Sequence, residues 1–142
     1  MSKSNYLENA ILNLLFNGTT IANVAQNASS SPATAFFISL HTASPSETGT
    51  QSSNEATYAD YARVSVNRNS GGWTITNNSV SPTASISFPE ASGGTNTITH
   101  IGIGLNATGS GTLLFHGALN SSITVNAGVT PRITTSSTIT ED

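Results

Sequence analysis

Apolar positions are densest over residues 98–119, ITHIGIGLNATGSGTLLFHGAL, and the other elements are expected to pack on this stretch. In 98–105, Thr99, Ile101, Ile103 and Leu105 alternate with Ile98, His100, Gly102 and Gly104. That two-residue period is the signature of a β-strand. Residues 112–119 are apolar at nearly every position, which predicts a strand buried on both sides or one that closes a core under a neighbouring element. Between them, NATGSG at 106–111 holds residue types that tolerate positive φ and tight reversal. The three segments predict a β-hairpin with a long loop.

A second period marks the N-terminus. Leu7, Ile11, Leu14 and Leu15 recur at helical spacing and predict a helix over 4–17. Asn5 is the expected cap, with Glu8 three residues on, and Gly18 the stop. The helix either seals a β-domain or docks on a partner. Ala10, Leu12 and Phe16 broaden its apolar stripe beyond one face.

Residues 19–34 read as a connector of small residues. Strand patterns follow at 35–43, at 61–67 (Ala62, Val64 and Val66 inward, Arg63 and Ser65 outward), at 73–76 and at 80–88. Two more lie at 122–126 and 132–140, and a long polar loop covers 44–59. Short strands separated by turn signals predict a mainly β fold, an antiparallel β-sandwich or barrel-like domain with one N-terminal α-helix. The expected organisation is a single domain over 1–142: helix 4–17, β core 35–126, and a C-terminal strand and polar tail at 127–142.

Composition narrows the function. Only 8% of the 142 residues are charged, against about a quarter in ordinary soluble proteins. A surface built instead from Ser, Thr, Asn and Gly suits a protein held in an assembly. The net charge is −3, and the only cations are Lys3, Arg63, Arg68 and Arg132, so no nucleic-acid partner is expected. The chain contains no Cys, which fits synthesis in a reducing compartment. No signal peptide and no membrane-spanning run are read, so no membrane partner is expected.

Catalytic chemistry finds little support. His41, His100 and His116 follow no metal-ligand spacing. No Ser lies in a nucleophile elbow. The carboxylates fall mostly in loops and at the termini, where a glycosidase pair is not expected. Gly102 to Gly104 sits inside a strand and opens no helix, so it is no phosphate loop. Trp73, Tyr58 and Tyr61 could form an aromatic sugar platform. The expectation is a non-enzyme with no cofactor.

The blocks SNYLENAILNLLF, FFISLHTASPSETGT, YARVSV, ISFPEASG and ITHIGIGLNATGSGTLLFHGAL, in this order over residues 4–126, resemble a family of small bacteriophage virion proteins. Members are often labelled phage tail fibre proteins, and some resemble capsid decoration (cement) proteins. The resemblance implies no catalytic or metal residue. It implies a virion structural protein made in the host bacterial cytoplasm.

Two roles follow as expectations. The first is decoration of the outer surface of the phage head. The partners would be the major capsid protein and other copies of the chain, as a trimer or dimer. A protein that binds only the expanded shell stabilises it by mass action, and many weak contacts reinforce one another. The expected contact residues are Leu7, Ile11, Leu14 and Leu15 on the helix, with Glu47 and Thr50 in the polar loop. The second role is a tail fibre or tail-tip component, with a host-surface glycan as partner.

Overall fold

The computed structural model describes residues 3–21, 25 and 32–141. In chain order the elements are α1 (Asn5–Asn17), β1 (Ala35–His41), β2 (Val64–Asn67), β3 (Trp73–Thr76), β4 (Ser79–Pro82), β5 (Ile86–Ser87), β6 (Asn96–Gly104), β7 (Leu113–Val125), β8 (Arg132–Ile133) and β9 (Ile139–Thr140). The sheets have strand orders β2-β1-β6-β7, β3-β4-β9 and β5-β8. The pairs β1–β6, β6–β7, β3–β4 and β4–β9 are antiparallel. The class is therefore the expected mainly β fold with one helix, and its sheets are open rather than closed into a barrel. Part of the connector read at 19–34 lies outside the described residues.

Backbone proximity groups the chain into two compact units. The first combines the N-terminal segment, residues 67–86 and residues 133–142. Its helix is capped by Ser4 rather than Asn5. Ser4 is extended (φ −83°, ψ 154°) and its hydroxyl accepts the Leu7 N–H. Asn5 already belongs to the helix, so it cannot serve as the half-in residue that a cap must be. Gly18 ends the helix at φ 67°, with its N–H on the Asn13 carbonyl, as a left-handed C-terminal residue does.

The buried face of α1 is Glu8, Leu12 and Phe16, not the stripe read from the sequence. Leu7, Ile11 and Leu14 are half-buried and Leu15 is 37% exposed. The helix is apolar over more than one face, and packing selected the face that carries Phe16. Phe16 meets Trp73 edge-on at 4.8 Å between centroids, a favoured aromatic geometry.

The helix C-terminus is closed from outside. Arg68 donates through Nη2 to the Leu14 carbonyl at 2.6 Å and through Nε to the Leu15 carbonyl. These carbonyls lack partners within the helix, and a cation there also complements the helix dipole. The tail is tied in as well. β9 pairs with β4, placing Ile139 opposite Val80, and Lys3 meets Glu141 at 3.1 Å. The strand expected over 80–88 is divided, because Pro82 at the end of β4 has no N–H to continue a ladder.

The second unit, residues 35–66 and 87–132, is built on the four-stranded sheet. Phe36, Ile38, Leu40, Ile98 and Ile103 are buried in it. β2 begins at Val64, later than the alternation suggested, because the chain is still turning. Asp60 has φ 71° and the Tyr61 N–H returns to the Tyr58 carbonyl.

β6 and β7 form the expected hairpin, with two corrections. On β6, Ile98, Gly102 and Gly104 are buried on one face, while on the other Ile103 is buried, Ile101 half-buried and Leu105 exposed, so the face with the glycines lies the deeper of the two. β7 is not buried on both sides. It is the last strand of its sheet, its residues alternate between half-buried and exposed, and only Val125 is buried. The strands read separately at 112–119 and 122–126 are one. The register passes from His100↔Ala118 to Ile98↔Ile123, so residues 119–122 bulge opposite Thr99 alone. The polar NSS there is a bulge, not a turn.

Candidate functional site

The second unit carries a polar core that joins the loop after β1 to the β6–β7 loop. Its centre is Arg63. The alternation placed this side chain outward, yet it is only 3% exposed. Nε donates to Glu55 Oε1 at 2.7 Å and Nη2 to Oε2 at 2.8 Å. The same guanidinium donates to the carbonyls of Asn106 (2.9 Å) and Gly109 (2.6 Å). Arg is suited to this because its planar fork presents donors in fixed directions. The carboxylate beside it holds the guanidinium in its charged form, raising its pKa.

Tyr61 extends the network. Its hydroxyl donates to Glu55 Oε1 at 2.9 Å and accepts the Leu40 N–H at 3.0 Å. Burial pushes this phenol above the usual range, so it stays protonated and able to donate. Gln51, fully buried, forms a second tie. Its Nε2 donates to the Phe37 carbonyl at 3.1 Å and its Oε1 accepts the Asn106 N–H at 3.0 Å. The Ser52 N–H adds a backbone link to the Ser110 carbonyl.

Deeper in the sheet, Ser39 Oγ lies 2.8 Å from His41 Nε2, and His41 Nδ1 lies 2.8 Å from the Ser53 carbonyl. A carbonyl only accepts, so Nδ1 carries the hydrogen and Nε2 accepts from Ser39. Burial lowers the pKa of His41. The geometry is that of a nucleophile and its base, but both side chains have no exposure. Gly102 makes room for the pair. A Cβ there would lie 2.6 Å from His41 Nε2 and 2.7 Å from Ser39 Oγ.

The outcome is an ordered loop surface. Leu105 to Ser110 is exposed along its whole length, while its backbone is held by Arg63 and Gln51 from beneath. Glu47 is exposed in the other loop. Thr50 is half-buried, with its N–H on Ser53 Oγ and its hydroxyl 3.1 Å from that of Ser52. The helical residues Leu7, Ile11, Leu14 and Leu15 belong to the other unit.

His41 stands opposite His100, and His116 opposite Gly102. Among the described residues no group of three His, Cys, Asp or Glu could hold a metal ion. No helix among them is long and apolar enough to cross a membrane. Trp73 and Tyr58 are 2% and 3% exposed, and their rings offer no sugar platform. Each is consumed in packing, Trp73 against Phe16 and Tyr58 against Tyr61.

Sequence reasoning missed Gln51, Glu55 and Arg63 as a set. One signal was available: in a chain with so few charges, Glu55, Asp60 and Arg63 all fall within 55–63.

Comparison with known proteins gives a family match. The model of the family described as podophage GP4 fiber I protein gp80 matches residues 2–141. No curated protein matches the chain. With nearly every residue covered, the chain belongs to the podophage GP4 fiber I protein gp80 family and is a bacteriophage virion structural protein.

Proposed function

We propose that this protein is a fibre component on the tail side of a podophage virion, and that its exposed 105–110 loop surface contacts the host. The observation that carries the reading is the match of residues 2–141 to a family described as a fiber protein. The loop architecture supports it. A recognition loop loses less conformational entropy on binding when it is already ordered, and Arg63 and Gln51 supply that order. Asn106, Thr108 and Ser110 offer uncharged donors and acceptors of the kind that bind glycan hydroxyls.

The role is binding and structural rather than enzymatic. The support is that the Ser39–His41 pair is fully buried. Decoration of the head, the other role the residue blocks suggest, places the same chain against the capsid lattice. A binding assay separates the two. Purified full-length chain is incubated with host cells and, separately, with expanded heads lacking it. Binding to cells with reduced phage adsorption is expected. Binding to heads alone, with adsorption unchanged, would overturn the fibre reading in favour of a cement protein.

A further inference from the structure

The β6–β7 loop carries a row of backbone donors. The Asn106 N–H donates to Gln51 Oε1 and the Thr112 N–H to Asn106 Oδ1. Between them, the N–H groups of residues 107–111 meet no acceptor among the described residues. Their direction is set from beneath. The peptide bonds are trans, so each N–H points away from the carbonyl that precedes it. The Asn106 and Gly109 carbonyls turn inward onto the Arg63 guanidinium, and the Ser110 carbonyl onto the Ser52 N–H. The N–H groups of Ala107, Ser110 and Gly111 therefore turn outward. The sign of φ also alternates here, positive at Gly109 (74°) and Gly111 (61°) and negative at Thr108 and Ser110. Such alternation gathers successive N–H groups into a concavity that suits an anion.

Resting on the reading that this loop contacts the host, we propose that the N–H groups of Ala107, Ser110 and Gly111 form a site for an oxyanion, a phosphate or carboxylate carried on a host envelope glycan. Either group offers acceptors only, which complements a surface that offers donors only. Hydrogen bonds from N–H to an ionised oxygen are roughly twice as strong as neutral ones. Nothing nearby in the chain repels such a ligand. Residues 105–112 contain no charged side chain, and both carboxylate oxygens of Glu55 are held by Arg63. Space is present as well, since nothing lies within 4 Å of the point a Cβ on Gly109 would occupy. The buried ion pair thus has a second consequence. By drawing carbonyls inward, Arg63 leaves the opposite ends of the same peptide planes for a ligand. The loop hydroxyls of Thr108 and Ser110 are then placed to meet the sugar that carries the anion.

The test uses the full chain and two ligands. In the first arm, inorganic phosphate is titrated at constant ionic strength while amide resonances are followed by NMR. Saturable shifts are expected at Ala107, Ser110 and Gly111. Ala107→Glu sets a carboxylate beside the site and should weaken phosphate roughly tenfold, because like charges brought together are costly. Ala107→Lys should tighten it. Thr97→Glu, which adds the same charge at the far end of β6, should change nothing. Ala107 and Thr97 are both exposed, and unchanged thermal melting shows that the fold is retained. Shifts that do not saturate, that spread evenly over surface amides, or that ignore the charge at 107 would overturn the site. In the second arm, binding of host envelope glycan is compared before and after dephosphorylation, and before and after reduction of its carboxyl groups. Loss after the first treatment identifies phosphate as the ligand, and loss after the second identifies an acidic sugar. Binding that survives both would overturn the oxyanion assignment. Phosphate bound at these amides with no binding of the host glycan would instead overturn the host-contact reading.

Discussion

Arg63 grips Glu55 through two parallel hydrogen bonds, at 2.7 and 2.8 Å, and the same guanidinium reaches the Asn106 and Gly109 carbonyls. One side chain thus sets both the ion pair and the path of the β6–β7 loop. Removing one partner of a buried pair leaves the other charge uncompensated. Arg63→Ala should therefore cost about 3 kcal/mol, read by urea unfolding. Arg63→Lys should recover only part of that loss, because an ammonium cannot reproduce the fork. Hydrogen exchange over 105–110 should rise in both variants.

Gly102 tests the buried Ser39–His41 pair. Its missing Cβ is the space that those side chains fill, and both are fixed by their own hydrogen bonds. Gly102→Ala should destabilise by about 2 kcal/mol, the usual scale of overpacking. Gly117→Ala, where nothing stands within 4 Å, should leave the melting temperature nearly unchanged.

His41 also makes stability depend on pH. Burial lowers its folded pKa below the ordinary 6.5. Below that pH the unfolded chain binds a proton that the folded chain refuses, so stability falls as pH drops from 6.5 toward the folded value. Above 6.5 this contribution is fully present and constant. The melting temperature should accordingly fall between pH 6.5 and pH 5, and His41→Gln should flatten that slope. An equal slope in the variant would assign the effect elsewhere.

The helix ends give a fourth prediction. Ser4→Ala removes the hydroxyl that accepts the Leu7 N–H and should cost about 1 kcal/mol, as loss of an N-cap does. Arg68→Ala uncovers the Leu14 and Leu15 carbonyls and should cost a similar amount. Circular dichroism during thermal melting checks both.

The sequence carried the class of fold, the helix and the hairpin because these rest on local periods and turn residues. β3 was legible to the residue, bounded by NSGG and an Asn pair. What stayed hidden was set by distant partners. Arg63 occupies an outward position by alternation, yet a carboxylate in the preceding loop and carbonyls in a later one draw it inward. The glycines of β6 lie deep because Ser39, His41 and Gln51 fill the room above them. β7 read as core because it is apolar, but apolarity cannot distinguish a strand covered by its own sheet from one left at an edge. On the helix, Leu7 and Leu14 matched the period as well as Leu12 and Phe16 did, and the Trp73 ring decided between them.

The proposed place in a fibre, rather than on the head surface, is open to direct observation. The most direct measurement is antibody labelling of purified virions by electron microscopy, with copy number from quantitative mass spectrometry. A fibre role predicts label confined to the tail region and few copies per particle. Hundreds of copies spread over the head would contradict it.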